Sequence, residues 1–289
     1  MSAPRSYRTE AIVLRRTEFG EADRIVTFYT PEYGKLKAIA KGVRKPRSKL
    51  SGLVELFTHS TLLLSHGHNL DIVSQGEAIH PFVPLKNDLN RSGCAFYVVE
   101  LVSRFTVEHQ ENAPVFDLLL ATLVELCQTS NMDMLLRCFE ADLLQCLGYR
   151  PNLHRCITCN SLLRPVANSF SPSGGGIICP ACAGTEPVAR PISANAIKVL
   201  RLLQNNDYAA ICRVNMGKPL ASEVEHVLRS YIEYLLERKV HSASWLDKLR
   251  HDARLSTALV TTVSPGPPGG EATTAAAVIP PGPATRHSP

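Results

Sequence analysis

Four cysteines fall in two pairs of identical spacing, Cys156-Ile157-Thr158-Cys159 and Cys179-Pro180-Ala181-Cys182, with nineteen residues between the pairs. A C-x-x-C segment can turn its backbone so that both thiolates face one point. Two such segments supply the four soft ligands of a tetrahedral zinc ion at about 2.3 Å per bond. Ser173-Gly174-Gly175-Gly176 lies between the pairs and lets the chain reverse, as a zinc-ribbon hairpin requires. Four bound sulfurs leave no position for water, so the single Zn2+ expected here is structural and does no hydrolysis. Redox dithiols or free thiols are the competing reading, but neither pair sits in the strand–helix–strand pattern of a thioredoxin-type site. His154 is near enough to substitute for a ligand, and with four cysteines present it is expected to stay outside the shell.

The second chemical feature is a run of charge. Between Lys35 and Lys49 stand seven cations and no carboxylate: Lys35, Lys37, Lys41, Arg44, Lys45, Arg47 and Lys49. The run begins as an expected strand with Lys35, Lys37 and Lys41 on one face and Leu36, Ala38 and Ala40 on the other. Through Gly42 and Pro46 it continues as a loop, expected to be flexible. Closely spaced cations suit a polyanion, because each neutralised phosphate releases condensed counterions. The plainer use of such a run is a solvated face, or lysines that guard a strand edge. Net charge is +4 over residues 1–80, −4 over 81–150 and +5 over 151–250. That asymmetry favours one nucleic-acid face and leaves an acidic or apolar middle for protein contacts.

The elements that must position these groups change character along the chain. Five short strands are expected at Arg8 to Arg15, Arg24 to Tyr29, Lys35 to Lys41, Leu53 to Leu64 and Leu70 to Glu77, with turn residues between them. Their number and length match a small closed barrel of OB type, a five-stranded SH3-like barrel being the alternative. After Pro81 and Pro84 the apolar period becomes helical, through Phe96, Val99, Leu101, Val102 and Phe105, then Val115 to Cys127 and Met134 to Leu147. Cys94, Cys127, Cys138 and Cys146 fall on these apolar faces and read as small core residues. Helix returns at Ser193 to Leu203 and Ala221 to Val240, the latter opening on the capping-box pattern Ser222-Glu223-Val224-Glu225. From about residue 252 the chain is rich in Ser, Thr, Ala, Pro and Gly and is expected to be disordered.

The fold class expected is therefore α+β and multidomain: an N-terminal five-stranded OB-type β-barrel, then an α-helical domain with an inserted four-cysteine zinc ribbon, then a disordered tail. The expected division is 1–80 for the barrel, 81–150 and 191–250 for the two helical parts, 151–190 for the insert and 251–289 for the tail.

Enzymatic motifs do not fit. His109-Gln110-Glu111 with Cys179 and Cys182 superficially suggests a zinc deaminase, but Ile178 replaces the required proline, and Cys156 and Cys159 would have no role. Gly174-Gly175-Gly176 lacks the rest of a phosphate-binding loop, and neither H-E-x-x-H nor G-x-S-x-G occurs. No stretch approaches the roughly 18 apolar residues of a membrane span. Met1 to Ser6 lacks a signal-type apolar run, so an intracellular protein is expected.

The order of these features resembles the bacterial DNA repair protein family RecO. The local sequence agrees at Thr9-Glu10-Ala11-Ile12-Val13-Leu14, Gly20-Glu21-Ala22-Asp23-Arg24-Ile25-Val26, Gly34-Lys35-Leu36, Ala40-Lys41-Gly42-Val43-Arg44, Leu153-x-x-Cys156-x-x-Cys159 and His241-Ser242-Ala243-Ser244-Trp245-Leu246. The resemblance implies a non-enzymatic recombination mediator and strand annealer, cytoplasmic and associated with the nucleoid. Such a protein binds single- and double-stranded DNA and single-strand-binding protein, works with RecR, and helps load RecA. The DNA contacts it implies are the seven cations of the run, with Arg15, Arg16 and Arg24 as weaker candidates. Read from the residues alone, Tyr29 and Tyr33 have the rings to stack on bases, core or turn packing being the commoner use of an aromatic in a barrel. An RNA-binding barrel with a zinc ribbon, serving translation or transcription, is the alternative.

Overall fold

Residues 6–80 form a closed five-stranded barrel in the computed structural model, which describes residues 5–205 and 216–250. The strands are β1 (Ser6–Phe19), β2 (Asp23–Thr30), β3 (Gly34–Ala40), β4 (His59–Ser65) and β5 (Asp71–His80), in the order β1-β2-β3-β5-β4. Alternation dictates this arrangement: Ala11, Val13, Val26, Phe28, Leu36 and Ala38 all pack inward, and a one-residue slip would turn each of them to water. β3 runs parallel to β5, with Ala38 opposite Asp71, while the other pairs are antiparallel. The OB-type barrel expected from the sequence is the one observed.

The strand expected from Leu53 begins later. Leu53 and Val54 occupy a 3-10 turn, Gly52–Val54, and β4 starts at His59. Both side chains are buried in the barrel core, so their apolar character serves a plug and not a pleat. Tyr29 is fully buried where the barrel meets the helices, and its hydroxyl donates to Asn112 O at 3.4 Å. It therefore offers no face to a base, whereas Tyr33 remains exposed.

The helices are α1 (Val83–Asn87), α2 (Leu89–Phe105), α3 (Ala113–Leu126), α4 (Met132–Cys146), α5 (Ala194–Gln204) and α6 (Lys218–Leu235), and residues 241–249 are also helical. Asp88, Asn112, Asn131 and Ser193 cap α2, α3, α4 and α5, each accepting from the amide three residues on. The capping-box pattern at Ser222 is not a helix start, because α6 opens four residues earlier at Lys218 with Pro219 in its first turn. Glu223 instead accepts from the amide and hydroxyl of Ser193 at 2.6 and 2.7 Å, so it serves the start of α5. Cys94 and Cys138 are buried and Cys127 and Cys146 partly so, all within the helical core. No described helix is long and apolar enough to cross a membrane.

The barrel keeps its own interior core, and a second core joins it to the helices, because Ile12, Leu14 and Tyr29 face outward from the barrel onto α2, α3 and their neighbours. The chain after α2 lies against the start of β3, where His109 N donates to Lys35 O at 2.8 Å. Gly34 permits this approach twice over. Its φ is +61°, and a Cβ there would stand 1.9 Å from Gln110 O.

A charged chain crosses the helical core. Glu140, fully buried on α4, accepts from Tyr97 Oη of α2 at 2.6 Å and from Arg137 at 2.7 Å. Arg137 also reaches Glu225 of α6 at 3.5 Å, and Arg229 continues the chain to Asp247 at 2.6 Å. Arg137 is thus an internal residue and does not offer its charge to a partner at the surface.

The insert is a three-stranded sheet, β6 (Asn168–Ser171), β7 (Gly176–Ile178) and β8 (Arg190–Ile192), in the order β7-β6-β8. The reversal between β6 and β7 falls on the glycines, with Ser171 opposite Gly176. Phe170 and Ile177 join the helical core, and Phe170 meets Tyr231 of α6 edge to face at 5.6 Å. The expectation of a disordered tail concerns residues 251–289, which lie outside the described residues.

Candidate metal centre and nucleic-acid interface

The four cysteine sulfurs converge. All lie within 4.8 Å of one another, and Cys159 Sγ is 3.8 Å from Cys179 Sγ. A tetrahedron with metal–sulfur bonds of about 2.3 Å has edges of about 3.8 Å, so the spacing suits one ion. The first pair is held by a tight knuckle in which Cys156 N donates to Ser161 O and Asn160 N to Cys156 O, both at 2.9 Å. The second follows β7 directly, and Cys179 N donates to Cys156 Sγ at 3.3 Å. His154 is exposed and outside the quartet.

The thiols also show what a cation would relieve. Burial opposes ionisation of Cys156, yet the amides of Cys159, Cys179 and Thr158 outweigh it and bring its thiol down to about 6. Cys182 is pushed up to about 12, first by its hydrogen bond with Cys179 and then by Cys159. Sulfurs this close cannot all be anionic without a positive charge among them, and a soft divalent cation supplies one.

The ten cationic candidates do not share one environment. Lys35 turns to the end of α2, where its Nζ donates to Ser103 O at 2.5 Å and Thr106 O at 2.6 Å. Burial lowers its pKa, with nearby Glu108 acting in the opposite direction. These are terminal helix carbonyls, so Lys35 satisfies orphan acceptors and the negative end of the helix dipole. Arg16 and Arg24 both pair with Glu55, Arg24 at 3.3 Å.

Lys37 meets Glu108 at 2.6 Å and Arg44 meets Glu18 at 3.4 Å, but both are solvent-exposed pairs of the kind that exchange readily with an incoming anion. Lys41, Lys45, Arg47, Lys49 and Arg15 are exposed and have no ion-pair partner among the described residues.

The basic loop, expected as an irregular segment, carries regular hydrogen bonds. It is a string of turns anchored on the β1–β2 connection: Gly42 N donates to Asp23 Oδ1 at 2.7 Å, and Arg44 N to Ala22 O at 2.9 Å. Lys45 N then bonds Gly42 O and Ser48 N bonds Lys45 O, while Val43 is buried in the barrel. Fixed turns present the cations at set positions, which lowers the ordering cost of binding. Arg15, Thr27 and Lys37 also lie opposite one another across β1, β2 and β3, extending the basic surface along the barrel wall.

A cleft of about 690 Å³ between barrel and helices is lined by Leu14, Leu56, Phe96, Val99, Arg104 and Trp245 among others, with Arg15 and Arg16 at its edge; the sequence patterns place Leu14, Phe96, Val99 and Trp245 in strand, helix or family motif and not in a shared site. They lie far apart in sequence, and no local pattern announces their meeting.

Residues 1–82 match the family model described as Recombination protein O N terminal, and residues 86–244 match Recombination protein O C terminal. A DNA repair protein RecO from Roseiflexus sp. (strain RS-1) is 43% identical over 253 residues, covering 88% of this chain and 89% of that protein. One from Dehalococcoides mccartyi (strain CBDB1) is 40% identical over 250 residues, covering 86% of this chain and 98% of that protein. One from Desulforamulus reducens is 36% identical over 243 residues, covering 84% and 94%.

Proposed function

This chain belongs to the RecO family of DNA repair proteins, and we propose on that premise that it is a recombination mediator without catalytic residues. In this reading it binds single- and double-stranded DNA, anneals complementary strands and, with RecR, helps load RecA onto DNA covered by single-strand-binding protein. It acts in the cytoplasm, at the nucleoid. The division of labour follows the sequence: residues 1–80 bind nucleic acid, 81–150 and 191–250 form the helical platform, and 151–190 hold one structural Zn2+ through Cys156, Cys159, Cys179 and Cys182.

The observation that carries the reading is the group of exposed cations on the barrel that have no ion-pair partner among the described residues. Lys41, Lys45, Arg47, Lys49 and Arg15 are the principal phosphate contacts, with Lys37 and Arg44 joining by exchanging their surface carboxylates. Arg16 and Arg24 stay secondary beside Glu55, and Lys35 chiefly ties β3 to α2. Annealing is then electrostatic. Cations lower the repulsion between two phosphate backbones, and base pairing supplies the specificity. A metal closed by four sulfurs offers no site for activating water, so its contribution is to hold the insert's fold.

The salt dependence of binding tests the assignment. Changing Lys45, Arg47 and Lys49 together to glutamine is expected to make the slope of log K against log salt for a single strand shallower by about 2, at about 0.7 per phosphate contact. Lys35→Met is expected to leave the slope unchanged while lowering the melting temperature, since about 1–3 kcal/mol of charge-assisted hydrogen bonding is lost. A slope unchanged in the triple variant would move the interface elsewhere, and a slope lowered by Lys35→Met would restore Lys35 as a phosphate contact.

A further inference from the structure

The cleft between barrel and helices has a wall unlike the rest of the basic surface. Phe57, Phe96 and Trp245 form an aromatic series: Phe57 and Phe96 meet edge to face at 5.0 Å, and Phe96 and Trp245 at 6.3 Å with an interplanar angle of 89°. Phe96 is 38% exposed and Trp245 partly so, and both rings therefore offer surface to the cleft. Their positions are fixed from behind. Gly93 of α2 leaves room for the indole, since a Cβ there would stand 2.7 Å from Trp245 Cζ3.

Glu100, also on α2, holds the start of the helical residues 241–249 by accepting from His241 N at 3.1 Å, Ser242 N at 2.8 Å and Ser242 Oγ at 2.5 Å. It accepts from Arg104 at 3.1 Å as well, so its charge is already answered. Arg15, Arg16 and Arg104 also line the cleft; Arg16 pairs with Glu55 and Arg104 with Glu100, which leaves Arg15 as the lining cation with no ion-pair partner among the described residues.

We propose that this cleft receives an unpaired base of single-stranded nucleic acid, stacked on one of the two perpendicular rings Phe96 and Trp245 and edge-on to the other, while the adjoining phosphate lies on Arg15. The inference rests on the DNA-binding reading above and gives it a strand preference. Charge complementarity argues for an anionic ligand, and the aromatic wall for one with a flat apolar face. Paired bases have both faces covered by their neighbours, so only an unstacked one can use the wall.

Continuity of the surface supports the same occupant. Arg15 stands both on the cleft rim and in the row with Thr27 and Lys37, so a backbone leaving the cleft meets the proposed phosphate contacts next. An extended peptide laid along β1, which pairs with β4 only as far as Ile12, is the competing occupant, and the peptide arm of the test below addresses it.

Trp245 is the single tryptophan of the chain, so emission excited selectively at tryptophan, beyond the absorption of the tyrosines, reports on this cleft. The full-length chain is titrated with oligothymidylate, with a duplex of the same length and with a short acidic peptide, while a labelled strand reports binding by anisotropy. Oligothymidylate is expected to quench the emission with the same midpoint as the anisotropy change, and the duplex to bind without quenching. Phe96→Leu is expected to weaken single-strand binding about tenfold and to change duplex binding less than about twofold. Thermal melting confirms that this variant is folded. Binding by anisotropy with unaltered emission would overturn the inference and leave the DNA-binding reading standing, whereas no binding by either signal would overturn both. Quenching by the peptide and not by the oligonucleotide would also overturn it and give the cleft to a protein partner.

Discussion

A chain in which Cys156 and Cys179 are both alanine is expected to lose its metal and, with it, the fold of residues 151–190. Four-cysteine zinc sites contribute an apparent binding energy of about 10–16 kcal/mol in small domains, and in such domains that energy is folding energy. The insert has little else to hold it. Its strands β7 and β8 are three residues long, and its contribution to the core rests on a few side chains such as Phe170 and Ile177. Elemental analysis of the purified wild-type chain is expected to give about one zinc per chain, and the double variant close to none. The variant's insert should become sensitive to protease while the barrel, whose core is separate from the quartet, keeps its secondary structure. A metal-free chain with an intact, protease-resistant insert would show that the sulfurs are spectators.

The second large effect lies in the charged chain through the helical core. Arg137→Met is expected to cost about 3–5 kcal/mol, because Glu140 is left buried without its guanidinium partner. For a chain of this size that is a fall in melting temperature of about 6–20 °C. Burial already pushes the Glu140 carboxyl above the usual carboxylate range, against the pull of Arg137 and Tyr97. Without Arg137 the carboxyl rises further and takes up a proton in the folded state that the unfolded chain does not bind at neutral pH. Stability then falls as pH rises, so the deficit of the variant narrows as pH is lowered from neutrality. The double change Arg137→Met with Glu140→Gln removes the orphaned charge yet keeps a partner for Tyr97, and is expected to recover more than half of the loss. A deficit independent of pH, with no recovery in the double variant, would mean that packing and not charge is responsible.

Local chemistry made much of this molecule readable in its sequence. Period-2 alternation identified five strands, and the paired C-x-x-C spacing brought four sulfurs to one point. The misreadings occurred where a residue's local signal serves a distant neighbour. Leu53 and Val54 are apolar because they plug the barrel, and Ser222 and Glu223 look like a helix start although Glu223 serves α5. Lys35 follows the same alternation as Lys37, yet it is turned inward by carbonyls nearly seventy residues away, a relation no window of sequence contains. The aromatic cleft escaped for the same reason, since Leu14, Phe96 and Trp245 meet only after the helices dock on the barrel.

The central claim is that this chain promotes strand pairing by binding alone, through the cations of its barrel. It is tested most directly by annealing complementary strands, each precoated with single-strand-binding protein, without any nucleotide. Acceleration by the wild-type chain, lost when Lys45, Arg47 and Lys49 are glutamine, is the predicted result. Annealing that is not accelerated, or that needs ATP, would contradict the account, and undiminished annealing by the triple variant would contradict the placement of its DNA-binding face.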